Sequence, residues 1–142
     1  MNIRIANIED LSSIGKLEDE NFPSYEHYSF EQLKEMMNNE NYQVIVSVED
    51  KKVIGYLIIN KTGDDFDLQK ICVDVKHRNK KMATNMFNFF INSHKNSRIL
   101  IEVRESNSSA LSFYTKLGFV KIITKKNYYP NEDAILMEKK VL

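Results

Sequence analysis

Tryptophan is absent from this 142-residue sequence, and glycine (4), proline (2) and cysteine (1) are scarce. So little glycine and proline excludes a collagen-like or low-complexity chain. The one cysteine, Cys72, can form no intramolecular disulfide and no multi-thiolate site, which excludes a disulfide-stapled scaffold and structural zinc. Long hydrophobic runs are missing too. The longest, Val53–Ile59, has seven residues, against the ~20 that a membrane-spanning helix needs. The opening MNIRIANIED reaches Glu9 and Asp10 without the ~7–15 apolar residues of a secretory signal, so a cytoplasmic location is expected. Excess charge of one sign is also lacking, since 20 basic side chains balance 20 acidic ones. No basic face with interleaved aromatics is evident, and neither nucleic acid nor a membrane is an expected partner.

What is present is ordinary globular usage, 42% apolar and 28% charged. Residues 1–142 are expected to form a single monomeric domain that buries roughly two-thirds of its unfolded surface. The balanced charge hides a division. Residues 1–50 carry 3 Lys/Arg against 11 Asp/Glu, and residues 51–100 carry 10 against 4. Such a split suits a cationic partner at one place and an anionic one at another, or simply solvated helix faces.

The hydrophobic period changes often, which gives short alternating elements. A strand is expected at Asn2–Ala6, then a helix capped by Asn7 with apolar residues at Ile8, Leu11, Ile14 and Leu17. Ser29 and Gln32 form a capping box opening a second helix through Asn38. Gln43–Glu49 and Val53–Lys61 read as a hairpin joined by Asp50-Lys51-Lys52, followed by a strand at Phe66–Val73. Met82, Ala83, Met86, Phe87 and Phe90 stripe a third helix, Ile99–Arg104 alternates as a strand, and Ala110–Leu117 is a helix ended by Gly118. Strands at Val120–Lys126 and Ala134–Lys139 close the chain, with Asn127–Pro130 between them. The order βααβββαβαββ predicts an α/β (α+β) fold, a mixed sheet flanked by helices.

Two constellations could carry chemistry. In ICVDVKHRNKKMAT, Ile71–Thr84, a strand ends in a basic turn that opens a helix, and the free N–H groups and positive dipole end there suit a pyrophosphate. A plain solvated cationic turn has the same composition. The second is Glu102, Asn107 and Tyr114. Glu102 opposes three aliphatic residues across its strand and points either to solvent or into a cleft; Asn107 suits a helix cap; Tyr114 falls on an apolar helical stripe, where a buried ring is the default. Cys72 reads as a packing residue, and His27, His77 and His94 lack ligand spacing, so no metal is expected.

Taken together, Ile71–Ala83, LIEVRESNSSALSFYTKLGFVKI and NYYPNEDAILM resemble the GCN5-related N-acetyltransferase superfamily, and within it the RimI-type ribosomal-protein-alanine N-acetyltransferases. The resemblance implies a mostly antiparallel sheet in which the strand Ile71, Cys72, Val73 receives the pantetheine arm of acetyl-CoA. Arg78, Asn79, Lys80, Lys81, Met82, Ala83 and Thr84 then fill the pyrophosphate motif, with Lys81 where the family has its central glycine. It further implies Glu102 as general base, Tyr114 as general acid and Asn107 as a cofactor contact. Phe22 and Tyr25 on one side and Tyr128 and Tyr129 on the other would border the acceptor groove. Glu18, Asp19, Glu20 and Glu26 around that groove favour a basic acceptor, the N-terminal alanine of a small-subunit ribosomal protein. An α-amine with pKa near 7.8 is roughly 15% neutral at pH 7, a lysine amine far less, which also favours an N-terminus. A small-molecule amine, or cofactor binding with little catalysis, remain the alternatives.

Overall fold

The structure is a computed structural model that describes residues 2–78 and 81–142. Its strands are β1 (Asn2–Ile5), β2 (Tyr42–Glu49), β3 (Lys52–Thr62), β4 (Asp65–Val73), β5 (Ser97–Arg104), β6 (Val120–Tyr129) and β7 (Glu132–Val141). Its α-helices are α1 (Leu11–Asn21), α2 (Phe30–Asn38), α3 (Met82–Asn92) and α4 (Ser108–Lys116). The strands make one sheet in the order β1-β2-β3-β4-β5-β7-β6. This is the predicted mixed sheet with the predicted element order.

The strand runs Val44–Val46 and Val53–Ile59 are buried on both faces because helices cover both. On one face Met86, Phe87 and Phe90 of α3 meet Ile45, Leu57 and Ile59. On the other, Leu11, Ile14 and Leu17 of α1 and Leu33 of α2 meet Val44, Val46, Tyr56 and Ile58. Each such side chain contributes about 1.5–3 kcal/mol when fully buried. Gly55 lets α3 approach β3, since a Cβ there would lie 3.1 Å from Met86 Cε and 2.9 Å from the Cys72 carbonyl oxygen.

Several boundaries shift by one to three residues from expectation, and three of the differences have a local cause. The chain leaves Asn7 in a 3₁₀ turn, Ile8–Asp10, before α1 begins. Arg4 on β1 grips the Asp10 carboxylate at 2.7 and 3.0 Å, and the Asn7 N–H donates to the same group at 2.8 Å, which tightens the first turn. The β2–β3 connection is two residues, Asp50 and Lys51, both at positive φ (51° and 66°), while Lys52 pairs with Glu49. That is the turn whose twist matches the strands. Asn127, Tyr128 and Tyr129 belong to β6 and not to the turn after it. A bulge between Lys125 and Tyr129, with Asn127 at φ 52°, is held by the Asp133 carboxylate on the Asn127 N–H at 2.8 Å, so the turn itself is Pro130-Asn131.

One pairing is parallel, β4 with β5, and it stops after Asp65–Arg98, Phe66–Ile99 and Asp67–Leu100. Arg98 clamps that closed end by reaching Asp65 at 2.7 Å and Glu138 at 3.1 Å. Beyond Asp67 and Leu100 the two strands pair no further among the described residues.

Candidate active site

The parting of β4 from β5 opens a cleft in the middle of the sheet, and peptide direction sets what faces it. The Asp74 N–H donates to the Ile54 carbonyl on β3 at 2.7 Å. Peptide groups alternate along a strand, so Cys72 also addresses β3 while the N–H and C=O groups of Ile71 and Val73 face the gap. Arg78 Nε donates to the Val73 carbonyl at 3.0 Å, from the gap side. The freed backbone can receive an extended, amide-bearing chain as though it were a further strand.

Two contiguous cavities occupy the parting, sharing Ile71, Cys72, Val73, Arg78, Ser109 and Phe113. The first, about 580 Å³, runs to the start of α3 over Lys81, Met82, Ala83 and Thr84. Lys81 caps that helix in the left-handed region, φ 61° and ψ 21°. Left-handed backbone is where glycine costs least, which explains a glycine preference at this place and the strain lysine carries in it. The N–H groups of the first turn and the positive helix end, with Arg78 and Lys81 alongside, suit a phosphate. Arg78 Nη2 also donates to Asn21 Oδ1 at the end of α1, 2.6 Å away.

The second cavity, about 750 Å³, carries Glu102 and Tyr114 together, with Phe22, Tyr28, Lys70 and Tyr129 on its outer wall. Alternation along β5 buries Ile99, Ile101 and Val103 and leaves the Glu102 side chain 30% exposed, its Oε1 accepting from Lys125 Nζ at 3.2 Å. Tyr128 and Tyr129 stand by it. The Glu102 carboxylate beside the Tyr128 hydroxyl raises that hydroxyl above the ordinary tyrosine value, and burial does the same for Tyr129. Tyr114 projects from α4 between Phe113 and Phe119, edge-on at 5.2 and 5.5 Å. Burial pushes its hydroxyl well up, so it stays protonated and able to donate through the neutral range. Asn107 is both cleft lining and helix cap, its Oδ1 accepting from the Ala110 N–H at 3.1 Å, so its amide nitrogen is the part left for a ligand.

The structure thus brings Ile71, Cys72, Val73, Arg78, Lys81, Met82, Ala83, Thr84, Asn107, Glu102, Tyr114, Phe22 and Tyr129 to one continuous cleft. Tyr128 lines an adjoining hollow with Glu102. Tyr25 does not join them. It sits on a 3₁₀ turn with 80% of its surface exposed and lines none of these cavities, because the turn presents it outward. Asn79 and Lys80 lie outside the described residues. Glu18, expected at the groove among acids open to a basic partner, is instead 1% exposed. It accepts from Tyr56 O–H, from Lys70 Nζ at 3.0 Å and from the Tyr28 N–H at 2.8 Å.

Sequence reasoning passed over Lys70, whose ammonium is boxed by Glu18, the Glu26 carbonyl at 2.6 Å and the rings of Phe22 and Tyr28 at 4.2 and 4.7 Å. No local spacing announces such a box. Ser109 and Phe113 also line both cavities, and no sequence signal singled them out. Cys72 is buried and its thiol is pushed up to about 11 by that burial, which fits packing and not a nucleophilic thiolate. His77 bridges Asp74 at 2.9 Å and Glu49 at 2.8 Å, and no cluster able to hold a metal occurs among the described residues. No described helix is long and apolar enough to cross a membrane.

Comparison with known proteins shows what the chain is similar to. Residues 9–141 match the family model described as acetyltransferase (GNAT) domain. An N-alpha-acetyltransferase of Saccharolobus solfataricus is 30% identical over 97% of this chain and 90% of its own length. A [ribosomal protein bS18]-alanine N-acetyltransferase of Salmonella typhimurium is 28% identical over 69% of this chain and 71% of its own. The crystal structure of the ribosomal-protein-S18-alanine N-acetyltransferase from Escherichia coli superposes with a TM-score of 0.83 over 99% of this chain and 93% of that one, at 24% identity, a likeness of fold.

Proposed function

The chain belongs to the GNAT acetyltransferase family and is an acetyl-CoA-dependent N-acetyltransferase, and on that premise we propose that its acceptor is the α-amine of a protein N-terminus, that of the N-terminal alanine of a basic, small-subunit ribosomal protein. The domain doing this is taken to be residues 1–142, a reading supported by the family match over 9–141. The observation that carries the proposal is the presence of Glu102 and Tyr114 on the walls of one cleft whose floor is the freed backbone of Ile71 and Val73.

The chain fits the acetyl donor at each part of that cleft. Freed peptide groups of Ile71 and Val73 suit the amides of the pantetheine arm, and the α3 N-terminus with Arg78 and Lys81 suits the pyrophosphate. When bound, acetyl-CoA supplies an activated thioester carbonyl. The Val73 N–H would donate to the carbonyl oxygen as negative charge grows there. Glu102, accepting through its free oxygen or a water, would take the proton released as the amine nitrogen bonds to the acetyl carbon. Tyr114, kept protonated by burial, would donate to the departing sulfur. Protons balance, one leaving the amine and one joining the thiolate.

An N-terminal acceptor is supported by the named relatives, by the modest demand that an α-amine places on a carboxylate base, and by exposed Glu26 on the groove wall. Acetyl transfer from acetyl-CoA to peptides and to small amines tests this. N-terminal peptides, those with basic downstream residues above all, are expected to be consumed; exclusive use of small amines overturns the acceptor. A ligand that binds only the folded state raises the melting temperature by mass action, so acetyl-CoA should do so, and no shift at millimolar cofactor overturns the cleft assignment.

A further inference from the structure

The Glu102 carboxylate does not stand alone in the cleft. Lys125 lies two strands away, on β6, and its ammonium reaches over β7 to Glu102 Oε1 at 3.2 Å while standing 5.2 Å from the Tyr128 ring centre. Glu102 Oε2 is buried and has no hydrogen-bond partner among the described residues. The other charged groups lining the cavities that hold Glu102 are Arg104, paired with Glu132 at 3.3 Å, Lys70, paired with Glu18 at 3.0 Å, Arg78, Glu26 and Asp67; Tyr128 and Tyr129 supply the neighbouring hydroxyls. Glu102 and Lys125 together present no net charge, and one carboxylate oxygen remains without a hydrogen-bond partner among the described residues.

An unpaired carboxylate in that place would attract ammonium ions. At neutral pH roughly 85% of α-amines carry the extra proton, and an ammonium has no lone pair with which to attack a carbonyl. A bare Glu102 would therefore hold the acceptor in its unreactive form. We propose that Lys125 is a specificity-determining residue: by neutralising Glu102 toward arriving acceptors it lets the site take the neutral amine, through Oε2, without preference for cations. Lys125 touches neither donor nor acceptor and acts through Glu102, and the inference rests on reading Glu102 as the base.

The test reads charge preference without turnover. Protein loaded with CoA, which has no acetyl group to transfer, is titrated by calorimetry at pH 6 with two alanine-initiated peptides, one bearing its N-terminal ammonium and the other a methyl group in its place. The wild-type protein is expected to bind both with similar Kd. In Lys125→Met the ammonium peptide should gain about fivefold over the methyl peptide, the upper range for one partly exposed ion pair, and Lys125→Arg should restore the wild-type ratio. A ratio unchanged in Lys125→Met, or an ammonium preference already present in the wild type, overturns the inference. A merely structural role would weaken both peptides alike. Turnover of Glu102→Gln is measured beside it: a wild-type rate there removes the base reading, whereas a crippled Glu102→Gln with an unchanged Lys125→Met ratio removes only the role given to Lys125. Failure of either peptide to bind any variant overturns the N-terminal acceptor and this inference together.

Discussion

Glu18 and Lys70, 52 positions apart in sequence, meet as an ion pair at 3.0 Å under the acceptor side of the cleft, with side chains 1% and 12% exposed. The pair ties α1 and the segment after it to β4. It therefore fixes the wall carrying Phe22 and Tyr28 relative to the strand that faces the acetyl donor. Removing one charge of a buried pair leaves the other without compensation and costs about 3–5 kcal/mol. Lys70→Met is expected to lose about that much in denaturant unfolding, and Glu18→Gln with Lys70→Met together to lose less than Lys70→Met alone. A double-mutant cycle that adds without coupling contradicts this.

Glu102→Gln keeps shape and removes the proton acceptor. Loss of a positioned base typically slows a reaction 100- to 10,000-fold, so kcat should fall in that range while acetyl-CoA affinity, measured by calorimetry, stays within about twofold. An equal fall in cofactor affinity would mean that Glu102 shapes the cleft and does not act in it.

Tyr114→Phe keeps the ring between Phe113 and Phe119 and deletes only the hydroxyl. The melting temperature should hardly change, while the rate of acetyl transfer falls at every pH where the wild-type hydroxyl is protonated. Because burial raises that hydroxyl, the defect should persist to at least the ordinary tyrosine value of about 10. A rate equal to wild type leaves Tyr114 as packing.

Lys81 holds φ 61° at the start of α3. A left-handed conformation costs a side-chain-bearing residue about 1 kcal/mol, partly offset in glycine by the greater freedom of its unfolded chain. Lys81→Gly should raise the melting temperature by about 2–4 °C at most and make acetyl-CoA affinity less sensitive to salt. A lower melting temperature would show that the lysine contributes contacts outweighing its backbone.

Acid stability follows from carboxylates held low. Hydrogen bonding to Arg4 lowers Asp10, to Arg98 lowers Asp65, and to His77 lowers Asp74. A carboxylate lowered in the folded state contributes stability that is present above its unfolded value, near 3.9, and lost as pH falls through the lower folded value. The denaturation midpoint should be flat from neutral pH to about 5 and fall below about 4, less steeply in Asp10→Asn. An equal slope in that variant contradicts the assignment to Asp10.

Local chemistry made much of this legible. Asn7, Ser29 and Asn107 cap as their residue types predict, Gly118 ends α4 at φ 100°, and the apolar runs of β2 and β3 form the expected hairpin. What depends on partners distant in the chain was not legible. The parting of β4 from β5 is a property of pairing, the seating of Glu18 needs β3 and β4 in place, and the extension of β6 through Tyr129 needs the Asp133 contact across the turn. Glu102 and Tyr114 stood out through the family motif. Lys125, with no motif, becomes visible only when β6 lies beside β7.

The most direct test is tandem mass spectrometry of an alanine-initiated peptide with basic downstream residues after incubation with acetyl-CoA and either the wild-type protein or Glu102→Gln. One acetyl group on the α-nitrogen with the wild type, and a trace at most with Glu102→Gln, is the expected result. Acetyl found only on lysine side chains, none on the peptide, or equal α-acetylation by both proteins would contradict it.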